Sequence, residues 1–182
     1  MVKYIIKKGD KAMKVFGIDP GIATVGFGVV DYTDNKFRLL EYGTVTTPPK
    51  LELSVRLEGI YDELLRLIGK HEPDAVSVEE LFFNTNVTTA IAVAHGRGVA
   101  LLAAKKSGRP VYEYTPLQVK QAVVGYGRAE KRQVIDMVKR ILQLPNAPRP
   151  DDAADAVAIA LCHARSTTSR LVGQGGNGCI TI

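Results

Sequence analysis

Val15-Phe16-Gly17-Ile18-Asp19-Pro20-Gly21 is the stretch on which the reading of this chain turns. Its first four residues are an apolar run of the kind that forms a buried strand, and Pro20-Gly21 is a turn signal that ends it. Asp19 stands at the strand tip. A carboxylate there is costly unless something nearby needs its negative charge. The stretch thus predicts a core strand with a functional site at its carboxyl end.

The pattern on either side fills in the fold. The first strand spans 14–19 and a second, of small and apolar residues, spans 24–31. Thr33-Asp34-Asn35-Lys36 reads as a hairpin turn, and a third strand over 37–46 stops at Pro48-Pro49. Leu53, Leu57, Ile60, Leu64, Leu67 and Ile68 recur at helical spacing up to Pro73. A short strand over 74–79 ends in Glu79. A loop over 80–86 follows, with Phe82, Phe83, Asn84 and Asn86, and then a long small-residue helix over 87–106. Residues 110–114 form a fifth strand, and Thr115-Pro116 opens a helix with proline at its first position. An amphipathic helix covers 129–142 and a last helix covers 151–165. The order βββ-α-β-α-β-α-α-α predicts an α/β fold. Three antiparallel strands and two parallel ones make a five-stranded mixed sheet flanked by helices. The domain spans 13–166, between a lysine-rich extension at 1–12 with no clear period and a Ser/Thr/Gly-rich tail at 167–182, the tail expected to be mobile.

With 182 residues the chain suits one domain with a real core. Its net charge of +5 favours an acidic partner, of which nucleic acid is the commonest. The two cysteines, Cys162 and Cys179, form neither a disulfide framework nor a zinc motif. No signal peptide or membrane-spanning run is visible, which points to a reduced, cytoplasmic setting without membrane contact.

Three further acids accompany Asp19. Glu79 repeats its oddity at the end of another apolar strand. If the two strands are parallel neighbours, both carboxylates emerge side by side, where open α/β sheets carry their sites. Asp152 and Asp155 lie three apart on one face of the last helix, and Ala153, Ala154 and Ala156 let that helix come close to the sheet. Capping accounts for one acid at a helix start, Asp151 or Asp152, and accounts poorly for Asp155. Each acid alone has a bland explanation as a cap or a solvated loop residue. Four together repel, unless a hard divalent cation such as Mg2+ or Mn2+ joins them. Two such ions are suited to phosphodiester hydrolysis. His71, His95 and His163 read as surface or packing residues.

Gly17-Ile18-Asp19-Pro20-Gly21, Val78-Glu79-Glu80-Leu81-Phe82, Gln118-Val119-Lys120-Gln121, Ala129-Glu130-Lys131 and Asp152-Ala153-Ala154-Asp155-Ala156 occur in this order along the chain. Together they resemble the RuvC family of bacterial Holliday junction resolvases, from about Met13 to Arg165. The resemblance implies an RNase H-like fold and a homodimer that nicks four-way junction DNA symmetrically, leaving ligatable 5′-phosphate ends. It puts Asp19, Glu79, Asp152 and Asp155 on the catalytic, metal-binding positions and implies two Mg2+ ions per active site. Some relatives carry histidine at the position of Asp152. It also implies DNA contacts from Lys120 and Lys131, base stacking by Phe82, and weaker contacts from Arg128 and Asn84. A lone lysine on a helix is usually only solvated, and a loop phenylalanine is often core; the motifs raise both. Cooperation with the RuvA–RuvB branch-migration complex belongs to the same implication, as does a dimer contact along 87–106.

Three other readings compete. The Gly-Ile-Asp-Pro-Gly turn also resembles the first phosphate loop of sugar kinases and actin-like ATPases, but this chain lacks their second glycine-rich loop and second lobe. A nuclease acting on RNA–DNA hybrid is opposed by the Lys120 and Lys131 motifs. An inactive junction-binding protein is opposed by the complete acid set.

Overall fold

The computed structural model describes residues 12–34, 36–80 and 87–172, without the side chains of 87–89 and 168–172. Five strands, β1 (Met13–Asp19), β2 (Thr24–Thr33), β3 (Lys36–Thr46), β4 (Ala75–Glu79) and β5 (Val111–Tyr114), form one sheet in the order β3-β2-β1-β4-β5. β1–β2 and β2–β3 pair antiparallel, while β1–β4 and β4–β5 pair parallel, so the expected mixed sheet is present. Among the described residues five helices accompany the sheet: α1 (Leu53–His71), α2 (Val87–Lys106), α3 (Pro116–Val124), α4 (Lys131–Ile141) and α5 (Asp151–Val172).

Side chains alternate across a strand, and that period of two divides the core into two layers. Phe16, Ile18, Val25, Phe27 and Val29 pack with Ile60, Leu64 and Ile68 of α1 and Ala100, Ala103 and Ala104 of α2. Val15, Val30 and Tyr32 face the other way, onto α3, α4 and α5. Gly17 and Asp19 share the face of Val15. On β4, Ser77 donates its hydroxyl to the Ile159 carbonyl of α5, which puts Glu79, two residues on, on that face as well.

Direct backbone contact sets the distance of α5 from the sheet. A Cβ built on Gly17 would lie 2.1 Å from the Ala156 carbonyl oxygen, and one on Gly26 would lie 2.0 Å from that of Asp152. Only glycine leaves room for this approach. Ala153, Ala154 and Ala156 are buried on the helix side.

The start of the β1–β4 pair is fixed separately. Lys14 N donates to Asp74 Oδ2 at 2.7 Å, Asp74 N donates to the Lys14 carbonyl at 2.8 Å, and Lys14 Nζ reaches the His71 carbonyl at 2.7 Å. From there the register runs Val15↔Ala75 to Ile18↔Val78, so Asp19 and Glu79 emerge next to each other.

Helix ends follow local rules. Thr115 and Gln118 form a capping box ahead of Pro116, and Gly125 at φ 100° ends α3. The Gln133 side chain accepts from Glu130 N at 2.8 Å, which starts α4 at Lys131 rather than at Ala129. The last helix departs most from expectation: α5 continues past Arg165 to Val172. Thr167 is accommodated because its hydroxyl bonds back to the His163 carbonyl at 3.0 Å, four residues earlier.

Gly26→Ala forces the added methyl against backbone. It is expected to destabilise the fold by about 1–3 kcal/mol, the usual cost of overpacking. Gly59→Ala, on the exposed side of α1 with nothing near its Cβ, is expected to stabilise by about 0.5–1 kcal/mol. Urea unfolding of both variants checks the contrast, and equal effects would refute the close-contact account.

Candidate active site

Asp19 and Glu79 reach the site from the tips of adjacent parallel strands, on the face covered by α5. Asp152 and Asp155 arrive from the first turns of α5, half-buried, because that helix lies directly on β1 and β2. All four sequence-predicted acids are thereby brought into electrostatic reach of one another. Burial, then the charges of Glu79, Asp155 and Asp152, push the Asp19 carboxyl up to about 8, and Lys131 offsets only part of this. Burial and Asp155 push Glu79 up to about 7, against Lys120 and Lys131. Asp155 is raised as well, first by burial, although its hydrogen bond from Lys131 pulls the other way.

These shifts mark a site short of positive charge. Lys131, at the first turn of α4, supplies some: its Nζ lies 2.8 Å from Asp155 Oδ2 and 3.8 Å from Asp151 Oδ2. Burial acts to lower its pKa, but the hydrogen bond to Asp155 and the surrounding carboxylates hold it above the ordinary lysine value. By donor type the cluster suits a hard divalent cation, since its ligands would all be carboxylate oxygens. Among the described residues, no three acidic, histidine or cysteine side chains are grouped so as to hold a metal ion. The acids are gathered but not closed into a cage.

Lys120, on α3, is near enough to act on Glu79. Arg128 is exposed in the connection between α3 and α4. Phe82, Phe83, Asn84 and Asn86 lie outside the described residues. No histidine is among the groups that shift Asp19, Glu79 or Asp155. His71 Nε2 is 2.7 Å from Glu41 Oε2, His163 is buried with its Nδ1 2.8 Å from the Tyr114 hydroxyl, and His95 is exposed on α2. Cys162 is buried, which pushes its thiol up to about 12 and leaves it inert.

The sequence reading missed two residues next to the site. Arg97 of α2 donates from Nε to the Glu79 carbonyl at 3.1 Å, and its guanidinium also pairs with Glu113 of β5. The available signal was Glu113 itself, an acid inside the short strand Val111–Tyr114, the same anomaly that marked Asp19.

Comparison with known proteins agrees with this geometry. The family model described as crossover junction endodeoxyribonuclease RuvC matches residues 15–163. A curated crossover junction endodeoxyribonuclease RuvC from Ruminiclostridium cellulolyticum is 60% identical over 154 residues, covering 85% of this chain and 93% of the relative. The Thermus thermophilus RuvC structure superposes with a TM-score of 0.79 at 43% identity, covering 86% of this chain and 96% of that one. T. thermophilus RuvC in complex with Holliday junction substrate superposes at 0.78, with the same identity and coverage. No described helix is long and apolar enough to cross a membrane.

The raised carboxyls make the metal-free protein sensitive to pH. Between the ordinary carboxyl value and about 8 for Asp19 or 7 for Glu79, the folded state holds protons that the unfolded chain has released. Stability from this source is present at the acid side of that window and is lost as pH rises through it. With chelator present, Asp19→Asn is therefore expected to raise the melting midpoint more at about pH 8.5 than at about pH 5.5, by about 2–4 °C per kcal/mol of repulsion relieved. Parallel pH profiles for the variant and the parent protein would refute the coupling.

Proposed function

The chain belongs to the RuvC family of crossover junction endodeoxyribonucleases, and on that footing we propose that it resolves Holliday junctions by metal-dependent phosphodiester hydrolysis. The observation that carries this reading is the meeting of Asp19 and Glu79, on neighbouring strand tips, with Asp152 and Asp155 on the helix above them. Mg2+, with Mn2+ as a substitute and two ions per site, would supply an activated water and charge stabilisation at the leaving oxygen. The chain's own part is to present oxygen ligands at low dielectric. Asp19 sits centrally, since it feels all three other acids. Glu79 and Asp155 complete the set, and Asp152 ligates or orients.

Lys131 keeps the acids in place when they are otherwise uncompensated, and it can turn to a DNA phosphate once they are engaged. Lys120 is positioned to hold the backbone of the strand being cut, with Arg128 as a further phosphate contact. Phe82 stacks on an unpaired base and Asn84 adds a polar contact. The products are symmetric, ligatable nicks with 5′ phosphates.

Two symmetric cuts call for two sites, which a two-fold homodimer supplies. The outer face of α2 supports this. Ile91 is 56% and Leu102 50% exposed, with His95 and Gly98 exposed between them at helical spacing. RuvA–RuvB would bring the junction to this dimer in the cytoplasm.

Full-length protein should nick a synthetic four-way junction symmetrically with Mg2+ and not with chelator, and should leave linear duplex and RNA–DNA hybrid largely intact. Efficient cutting of the hybrid with the junction untouched would sink the proposal. Asp155→Asn should still bind the junction in gel shifts. It should cut about 10³-fold more slowly, the equivalent of losing several kcal/mol of transition-state stabilisation. Undiminished cutting would remove Asp155 from the mechanism.

A further inference from the structure

Two consecutive residues of α2 touch both strand tips that carry catalytic acids. At Gly96, an added Cβ would lie 2.2 Å from the Gly21 carbonyl oxygen. The helix backbone therefore rests on the turn directly after Asp19. At Arg97, Nε donates to the Glu79 carbonyl at 3.1 Å. The same guanidinium is paired with the Glu113 carboxylate, and Glu113 lies opposite Val78 in the β4–β5 register. Both partners are largely withdrawn from water, with side-chain exposures of 21% for Arg97 and 30% for Glu113.

A charge that needed only a counter-ion would be satisfied by Glu113. The additional bond to the main chain of Glu79, at the last residue of β4, does something else. The planar fork of an arginine fixes both partners in one geometry, which a lysine ammonium does not. Arg97 therefore holds the end of β4 against α2, while Gly96 seats the same turn of α2 on the end of β1.

We infer that Arg97, braced by Glu113, is a positioning residue that fixes the spacing of Asp19 and Glu79 by clamping both strand ends to α2. This rests on the proposed role of those two acids as metal ligands. Groups behind the ligands set ligand orientation, and their loss typically costs about 10–100-fold in metal affinity or activity.

The test uses the full-length chain with Arg97→Gln, Arg97→Lys and Glu113→Gln, and with Asp19→Asn as reference. Mn2+ binding is measured by calorimetry without DNA, alongside the Mg2+ concentration for half-maximal junction cutting, junction binding in chelator, and the melting midpoint. Arg97→Lys keeps the charge facing Glu113 and should fold like the parent protein. It should nonetheless bind Mn2+ about 10–100-fold more weakly and need correspondingly more Mg2+, with junction binding in chelator unchanged. Mn2+ affinity equal to the parent's in a folded Arg97→Lys would overturn the inference. If Arg97→Gln and Glu113→Gln fail to fold, Arg97→Lys alone decides. Parent protein that binds no Mn2+, or Asp19→Asn that binds it as the parent does, would overturn the metal reading and the inference with it. That failure is recognisable because it occurs with Arg97 intact.

Discussion

The contact between the backbone of α5 and the backbone of the sheet is the constraint on which the rest depends. Gly17 and Gly26 remove the side chains that would otherwise separate the layers, and the alanines of α5 do the same from above. Helix and strand then meet as closely as two main chains can. Asp152 and Asp155 ride on the first turns of that helix, so the same contact that closes the core delivers them to Asp19 and Glu79. A bulkier residue at either glycine would lift the acids away from the strand tips along with the helix.

The cost of this arrangement appears as raised carboxyl pKa values, first through burial and then through mutual repulsion. Natural sequences rarely tolerate such local conflict except where function requires it. The conflict is contained in two ways. The apolar layers on both sides of the sheet, anchored by Phe16, Ile18, Leu64, Ile159 and Leu161, supply the stability that the site gives up. Lys131 and Lys120 provide partial compensation from α4 and α3. The two lysines thus stand beside the carboxylates.

The sheet was legible in the sequence because its strands are apolar runs bounded by strong turn signals, and because the βββ-α-β-α-β order leaves few alternatives for pairing. Three of the four acids were legible because each violates its surroundings: Asp19 and Glu79 end apolar strands, and Asp155 sits too deep in a helix to be a cap; Asp152, which a cap would explain, was legible only through its spacing from Asp155. Arg97 escaped notice because its partners, the Glu79 carbonyl and Glu113, are neighbours only after β4 and β5 pair. The close-packing role of Gly17 and Gly26 was hidden for the same reason, since a glycine in a strand does not announce what lies above it. The continuation of α5 to Val172 was obscured by Ser166 and Thr167, whose preference for caps and turns gives way when Thr167 bonds back within the helix.

The Lys14–Asp74 linkage at the start of the β1–β4 pair has a consequence for how this site can fail. Strands exchange partners in whole residues, so misalignment is quantised. A slip of one residue would turn Glu79 to the opposite face of the sheet. A slip of two would keep the face but carry Glu79 about 7 Å along β1, out of line with Asp19. The metal ligation proposed for these acids tolerates only about 0.2 Å, so neither error would leave a weakened site; each would leave none. The reciprocal bonds of Lys14 and Asp74 lie about 16 Å from the acids, five strand residues away. From that distance they act as an indexing pin: either the strands are seated and both acids are aligned, or the pair of acids does not form.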